Sequence, residues 1–358
     1  MKAWQEDQIG QLFFLRLGES RWTESLGRAL RHSAPGGVLL SEPLPRSPQS
    51  ICELLVRIFH HLPHPPFLAV RQEGGANDLL SGILPPLPSP SAAAAKGLSA
   101  VTRLGELSGE ALRLLGFNTN FAPRLDLSTS FAEKSWGAQT FASDPNRAAE
   151  CGRAFVRGLE RRHILACGKH FPGWGSVSAL LRDGLATSAK PMADLWREDL
   201  VPFRELLPRL PMALISSAAY KAYDFDHPRP ASLSTAVVTG LLRQKLGYHG
   251  LALAYELESA AGMPDVGQAA VQSLNAGCDL LVVDEGEPLE IARQEVKAAL
   301  VTGKLSAERI EQSLERIRAA KRRLALPSGK LAPSTWKQLE ERTGEFSREF
   351  LPEVSRDA

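Results

Sequence analysis

A chain of 358 residues that is 44% apolar and 23% charged has the balance of an ordinary globular protein. Its formal net charge of +2 gives no bulk electrostatic case for nucleic acid or an acidic membrane surface as partner. No apolar stretch reaches membrane-spanning length, and the start, Met-Lys-Ala-Trp-Gln-Glu-Asp-Gln, lacks an apolar signal core, so a cytoplasmic setting is expected.

In chain order, Ile9 to Leu17 and Trp22 to Arg31 read as two helical segments, and Gly36-Gly-Val-Leu-Leu40 as the first buried strand. Ser47-Pro48 is a cap and first-turn pair opening a helix to about His61, with Ile51, Leu54, Leu55 and Ile58 as its apolar stripe. Phe67-Leu-Ala-Val70 is a second strand, ending in Arg71-Gln-Glu-Gly-Gly75. Pro85 to Pro90 shows neither period and reads as a loop. Ala100 to Leu115 is helical and stops at Gly116.

Asn120 to Asp126 reads as a third strand with an acidic end, and Asp144-Pro145 opens a helix to about Arg161. Ile164 to Cys167 is the fourth strand. Pro191 to Leu207 is helical with an interruption at Pro202. Ala213 to Ser217, Leu251 to Tyr255 and Asp279 to Val283 are the fifth, sixth and seventh strands. Helices Ser234 to Leu246 and Val266 to Ala276 close at Gly247 and Gly277, and two more cover Leu289 to Thr302 and Ser306 to Leu324. Beyond Pro327 the chain is polar, with a short helix expected around Thr335 to Glu341 and a mobile end.

Short apolar strands alternating with helices imply right-handed βαβ units and a parallel sheet. Seven strands, or eight with one more, favour a single-domain (β/α)8 TIM-type barrel over 1–326, with a C-terminal extension over 327–358. No G-x-G-x-x-G follows a first strand, which argues against a dinucleotide-binding unit, and no cofactor is expected. Cys52, Cys151, Cys167 and Cys278 are far apart and form no C-x-x-C, so buried free thiols are expected. His60, His61 and His64 lack a carboxylate-backed ligand set, so no metal site is expected. The basic run Arg316 to Arg323 reads as a solvated helix face.

In such a barrel, chemistry sits at the C-terminal strand ends. Those ends carry Arg71 to Glu73, Asp126, Lys169 and His170, Ser216 to Ala218, Tyr255 and Glu256, and Asp284 with Glu285. The densest run is Gly168-Lys-His-Phe-Pro-Gly-Trp-Gly-Ser-Val-Ser178. Lys169 offers three donors and His170 a donor and an acceptor, which suits a polyhydroxylated ligand. Trp174 can stack on a sugar ring or simply fill the loop. An isolated Lys-His pair would more often only satisfy backbone groups at a strand end.

K-H-F-P-G resembles the signature of glycoside hydrolase family 3, the bacterial β-N-acetylhexosaminidases in particular. I-G-Q-L-F near the start, P-G-G-V at Pro35 to Val38, N-F-A-P-x-x-D at Asn120 to Asp126 and S-D-P at Ser143 to Pro145 also resemble family segments. So do P-R-P-A-S at Pro228 to Ser232, L-R-x-x-L-G-Y-x-G at Leu242 to Gly250, A-G-C-D-L-L at Ala276 to Leu281 and the closing helix at Gly303 to Ile317. The resemblance implies a carbohydrate or sugar-like ligand held by Lys169, His170 and Asp126, and a following loop that supplies an Asp/His acid/base pair.

The catalytic positions depart from the pattern. Where the family has D-x-E-G-G, with the Asp on the sugar, Arg71 stands; where it has R-S-F-G, Gln139 stands. Where its acid/base pair belongs, this chain reads Leu180-Leu-Arg182, with Asp183 one position late. Tyr255 occupies the place of the nucleophilic Asp, with Glu256 next to it. Retaining hydrolysis needs two groups roughly 5–5.5 Å apart, so the expectation is a barrel impaired or inactive in hydrolysis that keeps a sugar-type pocket and serves as a ligand-binding protein or a protein partner. The alternative is an active O-glycosyl hydrolase with Tyr255 or Glu256 as nucleophile and Asp183 or Glu285 as acid. For Tyr255 to attack, a base such as Glu256 or Glu73 must lie beside it.

Overall fold

The computed structural model describes residues 6–41, 43–129, 137–177, 179–180, 184–258, 262–327 and 329–351. Eight parallel strands close into a barrel: β1 (Phe13–Arg16), β2 (Gly37–Leu39), β3 (Phe67–Val70), β4 (Thr119–Asn120), β5 (Leu165–Phe171), β6 (Met212–Ile215), β7 (Leu251–Ala254) and β8 (Leu280–Asp284). Each pairs with its sequence neighbour in the barrel, and β8 returns onto β1 with Phe13 opposite Leu281 and Arg16 opposite Asp284. The single-domain TIM-type barrel is therefore the observed architecture.

One strand corrects the sequence reading. Ile9 to Leu17 is not a helix: a short helix, Glu6–Gly10, gives way to β1. Gln-Leu-Phe-Phe-Leu-Arg-Leu is apolar almost throughout because both faces of a parallel strand are buried, and a run with no period cannot by itself be told from helix. This is the eighth strand. It pairs with β2 through Phe14 opposite Gly37. A Cβ on Gly37 would lie 2.7 Å from the Phe14 ring, so that strand position is open only to glycine while Phe14 stays. The Phe14 ring in turn meets Phe67 and Phe121 at centroid distances of 6.1 and 5.1 Å.

Other elements follow the capping chemistry. Ser47 and Asp144 accept from Ser50 N and Arg147 N at the starts of helices Pro48–His61 and Pro145–Glu160. Gly116, at φ 102°, ends helix Leu98–Leu115. Pro202 sits in the first turn of a second helix, Val201–Leu206, so the expected interruption is real. The loop from Pro85 passes at Ser89 into a helix, Pro90–Lys96, that the proline-rich reading missed. The segment around Ala236–Lys245 is a π-helix rather than an α-helix. The third expected strand is regular only at Thr119–Asn120; beyond it Pro123 has no N–H to offer, and pairing falls to a single bridge between Arg124 and Lys169.

The four cysteines are buried and free. The tail is longer and better packed than its charge suggests. Helix Pro333–Arg348 buries Trp336, Leu339, Thr343 and Phe346, a 3-4-3 spacing that makes one face, and it packs on Leu98–Leu115. Arg316 is only partly exposed and is not a simple solvated cation. With Arg243 and Arg309 it closes on the fully buried Asp279 at the start of β8, helped by Ser313 Oγ and Ala252 N at 3.0 Å each. This clamp pins helix Ala307–Lys321 to the foot of the barrel. Among the described residues, no helix is long and apolar enough to cross a membrane.

Candidate functional site

Lys169 and His170 both belong to β5, two residues and one residue before its end. Adjacent strand residues ordinarily face opposite ways, but pairing with β6 shifts register between Lys169 and Phe171, and the peptide joining Lys169 to His170 is cis. A register shift of this kind re-aims side chains at a barrel rim. Both residues end up beside the Arg124–Asp126 segment.

Lys169 is 4% exposed, and its ammonium is already engaged. It donates to Phe121 O at 2.7 Å and pairs with Glu73 Oε2 at 3.2 Å. Glu73 also accepts from Asn77 Nδ2 at 2.9 Å. Burial alone would push the Glu73 carboxyl up; Lys169 and Arg124 more than offset it and hold it below the usual carboxylate range. Burial pulls Lys169 down from the usual ammonium value. Lys169 thus does what the plainer reading allows, satisfying backbone, and adds a buried ion pair that the family pattern did not suggest.

Asp126 braces the site. Its side chain is fully buried. One oxygen accepts from the amides of His170 and Trp174 at 3.1 and 2.8 Å; the other faces His170 Nδ1 at 2.8 Å and Arg124 Nη1 at 3.4 Å. Both oxygens of this expected ligand contact are engaged by protein groups. Burial opposes its charge, but His170 and Arg124 hold the carboxyl below the ordinary range. Burial depresses His170 despite the pull of Asp126. His170 is the more open member, its side chain 19% exposed, with the Trp174 ring 6.1 Å away. Tyr220, on a small three-stranded sheet (Ala179–Leu180, Ala186–Ser188, Ala219–Tyr220), donates to Gly173 O at 3.0 Å and so supports the same loop.

At the far side of the mouth, Tyr255 and Glu256 follow β7 and diverge. The Tyr255 hydroxyl accepts from Arg16 Nη1 at 3.2 Å, and Arg16 grips Asp284 through both its Nε and its Nη2. Arg16 ends β1, the strand missed in the sequence, so it was missed as well. Neither Glu256 nor Glu73 is the partner expected for Tyr255: Glu73 is committed to Lys169, and Glu256 turns toward β6. Glu256 has φ 60°, a left-handed conformation unusual for a non-glycine residue. Its carboxylate accepts from Ser217 Oγ at 3.1 Å. Among the described residues, the only hydrogen-bond partner of the Tyr255 phenol is a guanidinium.

The remaining expected residues fall as follows. Arg71 follows β3, is partly exposed and makes no ion pair among the described residues, whereas Lys169, Arg124, His170 and Arg16 each face a carboxylate. Gln139 is 3% exposed, and both its amide atoms are buried without a hydrogen-bond partner among the described residues. Glu285 lies on the exposed rim and accepts from Gly18 N at 3.0 Å. Asp183 lies outside the described residues.

The profile of the glycosyl hydrolase family 3 N terminal domain matches residues 5–320. A β-hexosaminidase of Pseudomonas aeruginosa is 31% identical over 294 residues, covering 80% of this chain and 87% of its own. The solved family 3 β-N-acetylglucosaminidase of Paenibacillus sp. str. FPU-7 superposes with a TM-score of 0.86 at 28% identity, over 97% of this chain and 69% of that one. A fungal multi-domain GH3 β-N-acetylglucosaminidase superposes with a TM-score of 0.89; at 24% identity this is a likeness of fold alone, and the present chain spans 42% of its length. Fold and sequence agree: the chain belongs to glycosyl hydrolase family 3.

Proposed function

We propose that this barrel does not hydrolyse glycosides by the two-group route and instead binds a sugar-type ligand at its mouth. The observation that carries the reading is Tyr255. It stands in the nucleophile's place, and its phenol oxygen accepts a hydrogen bond from Arg16, which is tied to Asp284. A phenol attacks only when a base removes its proton, and a guanidinium cannot do so. The sequence at Leu180-Leu-Arg182 supports the same reading, because it supplies no acid/base pair. His170, Trp174, Arg71 and Gln139 are the ligand-facing candidates, with Asp126 and Lys169 behind them. A ligand amide or hydroxyl reaching Gln139 would satisfy the two orphan atoms there.

The test is turnover of aryl β-N-acetylglucosaminides and aryl β-glucosides. No rate above buffer is expected; a clear rate abolished by Tyr255→Phe or Glu256→Gln would overturn the proposal. Calorimetry against N-acetylated sugars and sugar phosphates then reads binding, and Gln139→Ala is expected to weaken it.

A second reading keeps hydrolysis with Glu256 as nucleophile and Asp183 or Glu285 as acid. It draws support from the left-handed backbone at Glu256, which takes the carboxylate off the strand pleat and across to Ser217. On that reading Glu256→Gln lowers kcat by orders of magnitude with an unchanged melting temperature.

A further inference from the structure

At the opposite end of the barrel lies a cavity of about 550 Å3, lined among others by Asp7, Gln11, His64, Leu314, Lys321 and Arg322. Gln11 precedes β1 and His64 precedes β3, so this is the N-terminal foot, remote from the mouth. Lys321 is the last residue of helix Ala307–Lys321. Its Nζ donates to Gln11 Oε1 at 2.6 Å and stands 5.4 Å from the Phe67 ring centroid. Gln11 is 8% exposed and anchored by its own Nε2 donating to Ala34 O at 2.8 Å.

What the amine lacks is a counter-charge. The lining carboxylate, Asp7, is paired with His64 at 3.2 Å. Arg318, on the same helix, faces Glu311 at 2.7 Å. Arg322 is exposed, lines the cavity and makes no ion pair among the described residues. Among the described residues, then, Lys321 meets an amide oxygen and an aromatic face in a cavity that Leu314, Ile317 and two arginines also line, and it pairs with no carboxylate. This is a setting in which a lysine serves as a nucleophile: a pocket that desolvates the amine and gives it no counter-charge.

We propose that Lys321 is a nucleophilic amine that captures small carbonyl compounds carrying an anionic group, by imine formation at the foot of the barrel. The neutral Nζ lone pair adds to the carbonyl carbon. The carbinolamine then loses the carbonyl oxygen as water, which takes both amine protons, and the C=N bond forms with no oxidant or reductant. Arg322 receives the anionic group. The site is independent of the mouth and of whether the mouth is catalytic.

Burial alone accounts for the readiness of the amine, drawing its pKa down to about 7. Near neutral pH about half of Lys321 would be uncharged, against roughly one in a thousand or fewer for a lysine near 10.4.

The test uses the full chain and pyridoxal 5′-phosphate as probe, with borohydride trapping and peptide mapping across pH 6–10. Lys321 is expected to be labelled at least tenfold faster at pH 7 than the exposed Lys304 and Lys337. Its rate should level off near pH 7 while theirs keep rising, and unphosphorylated pyridoxal should lose most of the preference. Gln11→Glu sets a carboxylate beside the amine and should slow Lys321 labelling at pH 7 about tenfold, leaving Lys304 and Lys337 unchanged. Labelling of Lys321 no faster than of Lys304 and Lys337, a plateau above pH 9, equal preference for both probes, or no response to Gln11→Glu would overturn the proposal.

Discussion

Asp126→Ala tests whether the candidate site is held by a buried brace or merely decorated by one. The carboxylate receives four donors: the His170 and Trp174 amides, His170 Nδ1 and Arg124 Nη1. Hydrogen bonds to a charged group contribute roughly 1.5–3 kcal/mol each, and a plain sum would rival the whole stability of a domain, about 5–15 kcal/mol. The sum overshoots, since His170 is near enough to the surface for water to replace part of its bond. Removing one member of a buried charge pair costs about 3–5 kcal/mol, and that range is the expectation for alanine. Asp126→Asn keeps an acceptor for the two amides but turns an NH2 group toward Arg124, so about 2 kcal/mol is expected. Urea unfolding with unchanged m-values measures both. A loss below about 1 kcal/mol for alanine, or a loss of ligand affinity with no loss of stability, would show that Asp126 is a ligand contact and that the brace is misread.

Two further outcomes follow from the same structure. Asp279→Ala leaves Arg243, Arg309 and Arg316 without their shared carboxylate and should cost about 3–5 kcal/mol; a change under about 1 kcal/mol in urea would mean that the clamp is not stabilising. His170 is depressed by burial, so the stability tied to its neutral ring is complete above its unfolded value near about 6.5 and is lost as pH falls toward the folded value. Asp199, raised to about 6 chiefly by burial, works in the opposite direction. Comparing His170→Gln with the parent at each pH cancels that contribution, and the variant should lack the decline just below pH 6.5; an identical slope would contradict a buried neutral imidazole.

The mouth combines charges in a way that no single strand end predicts. Lys169 with Glu73, Arg124 and His170 with Asp126, and Arg16 with Asp284 make a ring of closed pairs. Among the described residues, Arg71 makes no ion pair and Gln139 leaves both amide atoms unmatched. These two positions also differ from the family pattern, which is why sugar phosphates belong in the calorimetry beside neutral sugars.

Much of this was written in local chemistry. The alternation of apolar strands with capped helices specifies a parallel barrel, because Ser-Pro, Asp-Pro and terminal Gly signals act through their own backbone. Lys169 and His170 were visible because a strand end marked by Pro172 and Gly173 places them at a rim. The departures at Arg71, Gln139 and Tyr255 were visible because they are identities rather than arrangements. The tertiary structure decided what long-range packing decides. It made Phe13–Arg16 a strand, since an apolar run acquires its period only from what covers its faces. It tied Lys169 to Glu73, 96 residues away, and Asp126 to His170, 44 residues away, gave Tyr255 an arginine from the other end of the chain, and turned Arg316 onto Asp279. Each of these depends on which side chain meets a buried charge once the barrel has closed, and no spacing along the chain carries that information.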